Sequence, residues 1–87
     1  MNATTLLPRV IEVLAREFPL IEGAGLAPDL PLLSSGLLDS FGIITLVDAL
    51  ENALGLTIDV ERVDPTAFET PRQIAEICAD ALQTASG

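Results

Sequence analysis

Leu38-Asp39-Ser40-Phe41-Gly42-Ile43-Ile44-Thr45-Leu46-Val47-Asp48-Ala49-Leu50-Glu51-Asn52-Ala53-Leu54-Gly55 is the stretch whose pattern governs the fold. Phe41, Ile44, Val47, Leu50 and Leu54 recur at three- and four-residue steps, which sets an apolar stripe along one face of a helix, while Asp48, Glu51 and Asn52 lie off it. Asp39 and Ser40 stand where a helix start needs oxygen acceptors for its unpaired N–H groups, and Gly55 stands where a helix can close in left-handed backbone. The pattern predicts a helix over 40–54.

Upstream, Leu6, Leu7, Val10, Ile11, Leu14 and Phe18 share one face of a first helix over about 3–18. Asn2 or Thr4 can cap it, Pro8 is tolerated near its first turn, and Pro19 ends it. From Pro19 to Asp39 the breakers Pro19, Gly23, Gly25, Pro28, Pro31 and Gly36 forbid a continuous helix. Leu20, Ile21, Leu26, Leu30, Leu32, Leu33, Leu37 and Leu38 are nevertheless too apolar for a solvated linker, so this segment is expected to be a long, ordered, packed loop.

Downstream, Leu56, Ile58, Val60 and Val63 alternate with Thr57, Asp59 and Glu61, an extended connection with no second strand to pair with. Asp64-Pro65-Thr66-Ala67-Phe68 supplies a cap, a first-position proline and an apolar anchor for a short helix over about 65–69. Thr70-Pro71-Arg72-Gln73 reads as a capping box that opens a last helix over about 71–84, with Ile74, Ile77, Cys78, Ala81 and Leu82 as its buried stripe and fraying from Thr84 to Gly87. The expected fold is all-α, a single domain over 1–87 built as a four-helix bundle of three longer helices and one short one.

Composition narrows the chemistry. With 87 residues, 49% of them apolar, the chain can bury one modest core; its one cysteine, Cys78, excludes an internal disulfide and reads as a small buried hydrophobe. Thirteen acids against four arginines leave a net charge of −9, which repels nucleic acid and anionic lipid and points to basic protein surfaces as partners. There is no leader pattern and no apolar run long enough to span a membrane, so the expectation is a cytoplasmic monomer. His, Lys, Tyr and Trp are all absent, which removes the commonest acid–base groups and argues for a non-catalytic protein with no metal site.

A serine at a helix start is ordinarily a cap, its oxygen satisfying a free N–H. The same place suits a covalent phosphate, because the positive end of the helix favours an anion by about 0.3–1 kcal/mol when exposed; Asp39 opposes this slightly. Here the sequence resembles a known family. Ser35-Gly36-Leu37-Leu38-Asp39-Ser40-Phe41-Gly42, followed by the amphipathic helix, is similar to the attachment motif of acyl and peptidyl carrier proteins, and the resemblance runs over nearly the whole order of elements.

The resemblance implies that a phosphopantetheinyl transferase places a 4′-phosphopantetheine arm from coenzyme A on Ser40, with Asp39 helping to position that enzyme and its metal. It implies an arm whose thiol carries an acyl or aminoacyl thioester, and a helix 40–54 that docks partner enzymes through Phe41, Gly42, Thr45, Asp48 and Glu51. Fatty-acid carriers place acids where this chain has Gly42 and Thr45. The run Gly36 to Gly42, with Phe68-Glu69-Thr70-Pro71, looks closer to stand-alone aminoacyl carriers of the D-alanyl type, which are loaded by a separate adenylating ligase and unloaded by an acceptor enzyme. Gly42 has two readings, relief of crowding where the loop folds back or space for an arm or partner beside Ser40. The acids of this helix are either a solvated face or a field that steers basic partners. The competing function is an acidic helical interaction module with no prosthetic group.

Overall fold

Asn2 accepts a hydrogen bond from the Thr5 N–H at 2.9 Å and opens α1 (Ala3–Glu17). The computed structural model describes residues 2–86, with side chains through residue 83. After α1 come α2 (Pro19–Gly23), α3 (Ser40–Leu54), a 3₁₀ turn (Pro65–Phe68) and α4 (Pro71–Ser86), with no strand among the described residues. Three long helices and a short one stand where the sequence places them, and α1 packs most extensively on α4.

The core is built from Leu6, Val10, Val13 and Leu14 of α1, Leu46, Val47 and Leu50 of α3, and Ile74, Ala75, Cys78 and Ala79 of α4. Ile21, Leu32, Leu38, Leu56, Ile58 and Phe68 close it from the connections. The first loop is thus packed and ordered as expected, with one correction: Pro19–Gly23 forms the five-residue helix α2. Phe18 O accepts from the N–H groups of Ile21 and Glu22 at 2.9 and 3.2 Å, and a first-position proline, whose missing N–H has no partner to lose, lets the chain turn at once. Ile21 is buried by this turn, but Leu20 is 84% exposed, against the expectation that the loop's leucines pack.

The buried faces of all three long helices differ from the expected stripes: in α1, Val13 joins Leu6, Val10 and Leu14 in the core, while Leu7, Ile11 and Phe18 are only partly buried. In α3 the core side is Leu46, Val47 and Leu50, whereas Phe41 and Ile44 are 81% and 65% exposed. Each three-residue step falls about 60° short of a full turn, so the series 50, 47, 44, 41 walks off the core face. In α4, Ala75 and Ala79 are buried alongside Ile74 and Cys78, while Ile77, Ala81 and Leu82 are only partly buried. Small alanines define the facing side there, and a search for bulky residues passes over them.

At the start of α4, Thr70 Oγ1 accepts from the Gln73 N–H at 3.2 Å, as a cap should. The return bond of a full capping box is replaced by Thr70 Oγ1 donating to Gln73 Oε1 at 3.3 Å. The fraying expected from Thr84 is not seen, since α4 is helical through Ser86; Gly87 lies outside the described residues. Between α3 and the 3₁₀ turn, Leu56 and Ile58 point inward and Thr57 and Asp59 outward, and Val60 breaks the alternation by facing out. Burial pushes the Cys78 thiol up to about 12. Among the described residues no helix is long and apolar enough to cross a membrane.

Candidate functional site at the start of α3

Asp39 sits in extended backbone, and its Oδ1 accepts from the Gly42 N–H at 2.7 Å, a short bond of the charge-assisted kind. Its carbonyl takes the Ile43 N–H at 2.9 Å, so Asp39 is the residue that caps α3. Ser40 is therefore the first helical residue, not the cap. Its side chain is exposed, and its hydroxyl has no hydrogen-bond partner among the described residues. The duty a serine usually performs at this place is carried out by its neighbour.

Gly42 is tightly enclosed. A Cβ there would stand 2.8 Å from Leu38 Cδ1 and 3.3 Å from Asp39 Oδ1, so the glycine lets the end of the loop press against the first turn of the helix. This is the crowding reading. The buried Leu38 it touches belongs to the core, which ties the cap geometry to the interior.

The remaining residues of this helix named from the sequence divide into two groups. Phe41, Thr45 and Asp48 follow each other at four- and three-residue steps on the exposed side, where Thr45 Oγ1 donates to Phe41 O at 3.2 Å. Glu51 is half-buried, and its Oε2 accepts from the Ile58 N–H at 2.9 Å. It pins the connection after α3 to the helix, a structural duty the sequence did not disclose.

Beside Ser40 lies an open cleft of about 270 Å³ walled by Ile43, Ile44, Val60, Val63, Pro65 and Phe68. None of these wall residues is charged. Its far rim is set by the 3₁₀ turn, capped by Asp64, whose carboxyl is held below its ordinary range by the Thr66 N–H and hydroxyl at 3.0 and 2.9 Å. Ile44, Val60, Val63 and Pro65 were not singled out from the sequence as site residues. Val60 carried a signal in hindsight, an apolar residue at the end of an alternating run just before a turn.

Comparison with known proteins agrees with this geometry. Residues 8–78 match the phosphopantetheine attachment site family. The D-alanyl carrier protein of Bacillus pumilus (strain SAFR-032) is 40% identical over 53 residues, which cover 61% of this chain and 68% of that protein. The D-alanyl carrier protein of Bacillus velezensis is 40% identical over 47 residues, 54% of this chain and 60% of that protein, and the one from Bacillus licheniformis is 38% identical over a segment of the same length. The shared segment thus spans three fifths of the latter two relatives. A family match that begins in α1 and ends in α4 takes in every element framing Ser40, and by it the chain belongs to the carrier proteins that bear covalent 4′-phosphopantetheine.

Proposed function

We propose that Ser40 Oγ is the atom that takes the arm, and that the chain carries an aminoacyl group, D-alanine by its likeness to the D-alanyl carriers, to partner enzymes. The observation that carries this is the unclaimed hydroxyl: Asp39 caps α3, which leaves Ser40 exposed and without a partner at the positive end of a fifteen-residue helix. A phosphodiester on that oxygen lies in a favourable field, worth about 0.3–1 kcal/mol at an exposed helix start. The residues present fit such a group. Uncharged walls beside Ser40 offer a resting place for a flexible, largely uncharged arm without a competing ion pair. When bound, the arm supplies a thiol that holds the cargo as a thioester.

Asp39 has a second oxygen free of the cap, and we assign it to recognition by the phosphopantetheinyl transferase. Phe41, Thr45 and Asp48 form the docking face with Gly42 at its head; Glu51 contributes from its edge while holding the following connection. An adenylating ligase loads the arm and an acceptor enzyme unloads it. The chain itself performs no chemistry, consistent with its lack of His, Lys, Tyr and Trp, and it works in the cytoplasm, where coenzyme A is at hand. The net charge of −9 gives fast, weak, salt-sensitive encounters with basic enzyme surfaces. An interaction module without a prosthetic group leaves the family match unexplained.

The test is intact mass after incubation with a broad-specificity phosphopantetheinyl transferase and coenzyme A. The wild type gains one phosphopantetheinyl unit and Ser40→Ala gains none. A wild type that gains nothing, or an alanine variant that still gains the unit, defeats the assignment. Loading of the modified protein by a D-alanine-activating ligase, with ATP and a panel of other amino acids as competitors, then tests the cargo.

A further inference from the structure

We propose that Glu69 is a positioning residue for the modification of Ser40, acting through the loop that delivers Asp39 and Ser40 to the start of α3. The inference rests on the Ser40 reading above. Two acceptor groups of Glu69 converge on this loop from 35 residues away. The Glu69 carbonyl accepts from the Leu32 N–H at 2.6 Å, and Oε1 accepts from the Ser34 N–H at 3.3 Å and the Ser34 hydroxyl at 2.8 Å. One residue therefore holds the backbone at both 32 and 34.

The loop then closes on itself. The Leu38 N–H donates to the Leu32 carbonyl at 2.9 Å, so residues 32–38 form a ring, and Gly36 at φ +78° supplies the left-handed turn within it. Leu32 and Leu38 are buried at the two ends of the ring, and the next residue is Asp39. A second tie lies further upstream, where the Arg72 N–H donates to Pro28 O at 3.0 Å and the guanidinium meets the Asp29 carboxylate at 3.0 and 3.4 Å. Of these two ties, the Glu69 one reaches the ring that ends at the cap of α3. On its other side Glu69 follows directly on Phe68, a wall of the cleft beside Ser40.

Glu69 thus links a wall of the cleft to the entry of the serine. Apolar burial would hold the ring in place without fixing its orientation, because the hydrophobic effect is non-directional, whereas bonds to a carboxylate carry direction. The Ser34 bonds are exposed, so water replaces them when the carboxylate is removed, and global stability changes little. What changes is how sharply the loop end presents Ser40 to an enzyme.

The experiment measures steady-state transfer from coenzyme A by a broad-specificity transferase to wild type, Glu69→Ala, Glu69→Gln and Ser34→Ala, at a temperature where urea titration shows every variant folded. We expect Glu69→Ala to lower kcat/KM by about tenfold, mostly through KM for the carrier, because the loosened loop populates the arrangement that presents Ser40 only about a tenth as often. Glu69→Gln, which keeps an acceptor oxygen, restores most of the rate, and Ser34→Ala falls between. Amide hydrogen exchange on the unmodified proteins gives a readout independent of transfer: Glu69→Ala speeds exchange at residues 32–38 and leaves α1 and α4 protected. Wild-type kinetics for Glu69→Ala, unchanged exchange in the ring, a glutamine variant as slow as alanine, or losses that vanish on cooling would each overturn the proposal. A wild type that takes no arm on Ser40 defeats the underlying assignment instead, and the exchange result still stands.

Discussion

Replacing Asp39 by alanine and by asparagine separates two duties of one carboxylate. Its Oδ1 accepts the Gly42 N–H at 2.7 Å, and loss of an N-cap of this kind costs about 1 kcal/mol, within a range of roughly 0.5–2. Its charge at the helix start adds about 0.3–1 kcal/mol. Asparagine keeps an acceptor oxygen and loses only the charge, so Asp39→Asn is expected to fall by less than about 1 kcal/mol and Asp39→Ala by about 1–2. In a domain of this size each kcal/mol moves Tm by about 4–8 °C. The chain has no Trp or Tyr, so urea and thermal unfolding are followed by far-ultraviolet circular dichroism. Transfer kinetics on the same variants read the second duty: both lose most of their modification rate if the transferase reads the charge. Equal destabilisation by Asn and Ala refutes the capping argument, and wild-type modification of the stable Asn variant confines Asp39 to capping.

The other outcomes follow from the same geometry. Gly42→Ala gains up to about 1 kcal/mol of helix propensity but drives a methyl to 2.8 Å from buried Leu38, an overpacking cost of roughly 1–3 kcal/mol, so urea unfolding should show a net loss of about 1 kcal/mol. Phe41→Ala and Ile44→Ala remove exposed side chains, so stability stays within about 0.5 kcal/mol of wild type while KM for the transferase and the ligase rises. Cys78 has a folded pKa raised from 9.0 to about 12 by burial, so its contribution is complete below pH 9 and is lost as the pH rises toward 12. Between those values the unfolded chain sheds a proton that the folded one keeps, and stability falls by up to about 1.4 kcal/mol per pH unit. Cys78→Ala, titrated alongside by urea unfolding, should lack that slope.

The helix over 40–54 was legible in the sequence because both its ends are punctuated chemically, by Asp39 at the start and by Gly55, which adopts φ 66°, at the close. The same holds at Thr70. Helix α2 escaped because five residues are too few to display a period, and Pro19 reads equally well as the end of α1. The buried faces of α3 and α4 were only partly legible, since apolar residues occupy more of each helix than the core covers. At the site, the pair Asp39-Ser40 carried the argument, but either residue can cap a helix, and only the folded chain shows which one does. The bonds of Glu51 to Ile58 and of Glu69 to Ser34 depend on where distant backbone arrives, and no local pattern encodes that.

The sealed position of Cys78 has a practical consequence. Its side chain is fully enclosed and keeps its proton far above neutral pH, so a maleimide or a disulfide-exchange dye added to the native domain meets no reactive sulfhydryl on the polypeptide. Any colour that develops reports the prosthetic thiol, and acylation of that thiol silences it. A simple absorbance titration of the intact protein therefore distinguishes apo and charged molecules, which give no signal, from the empty holo form, which gives one equivalent.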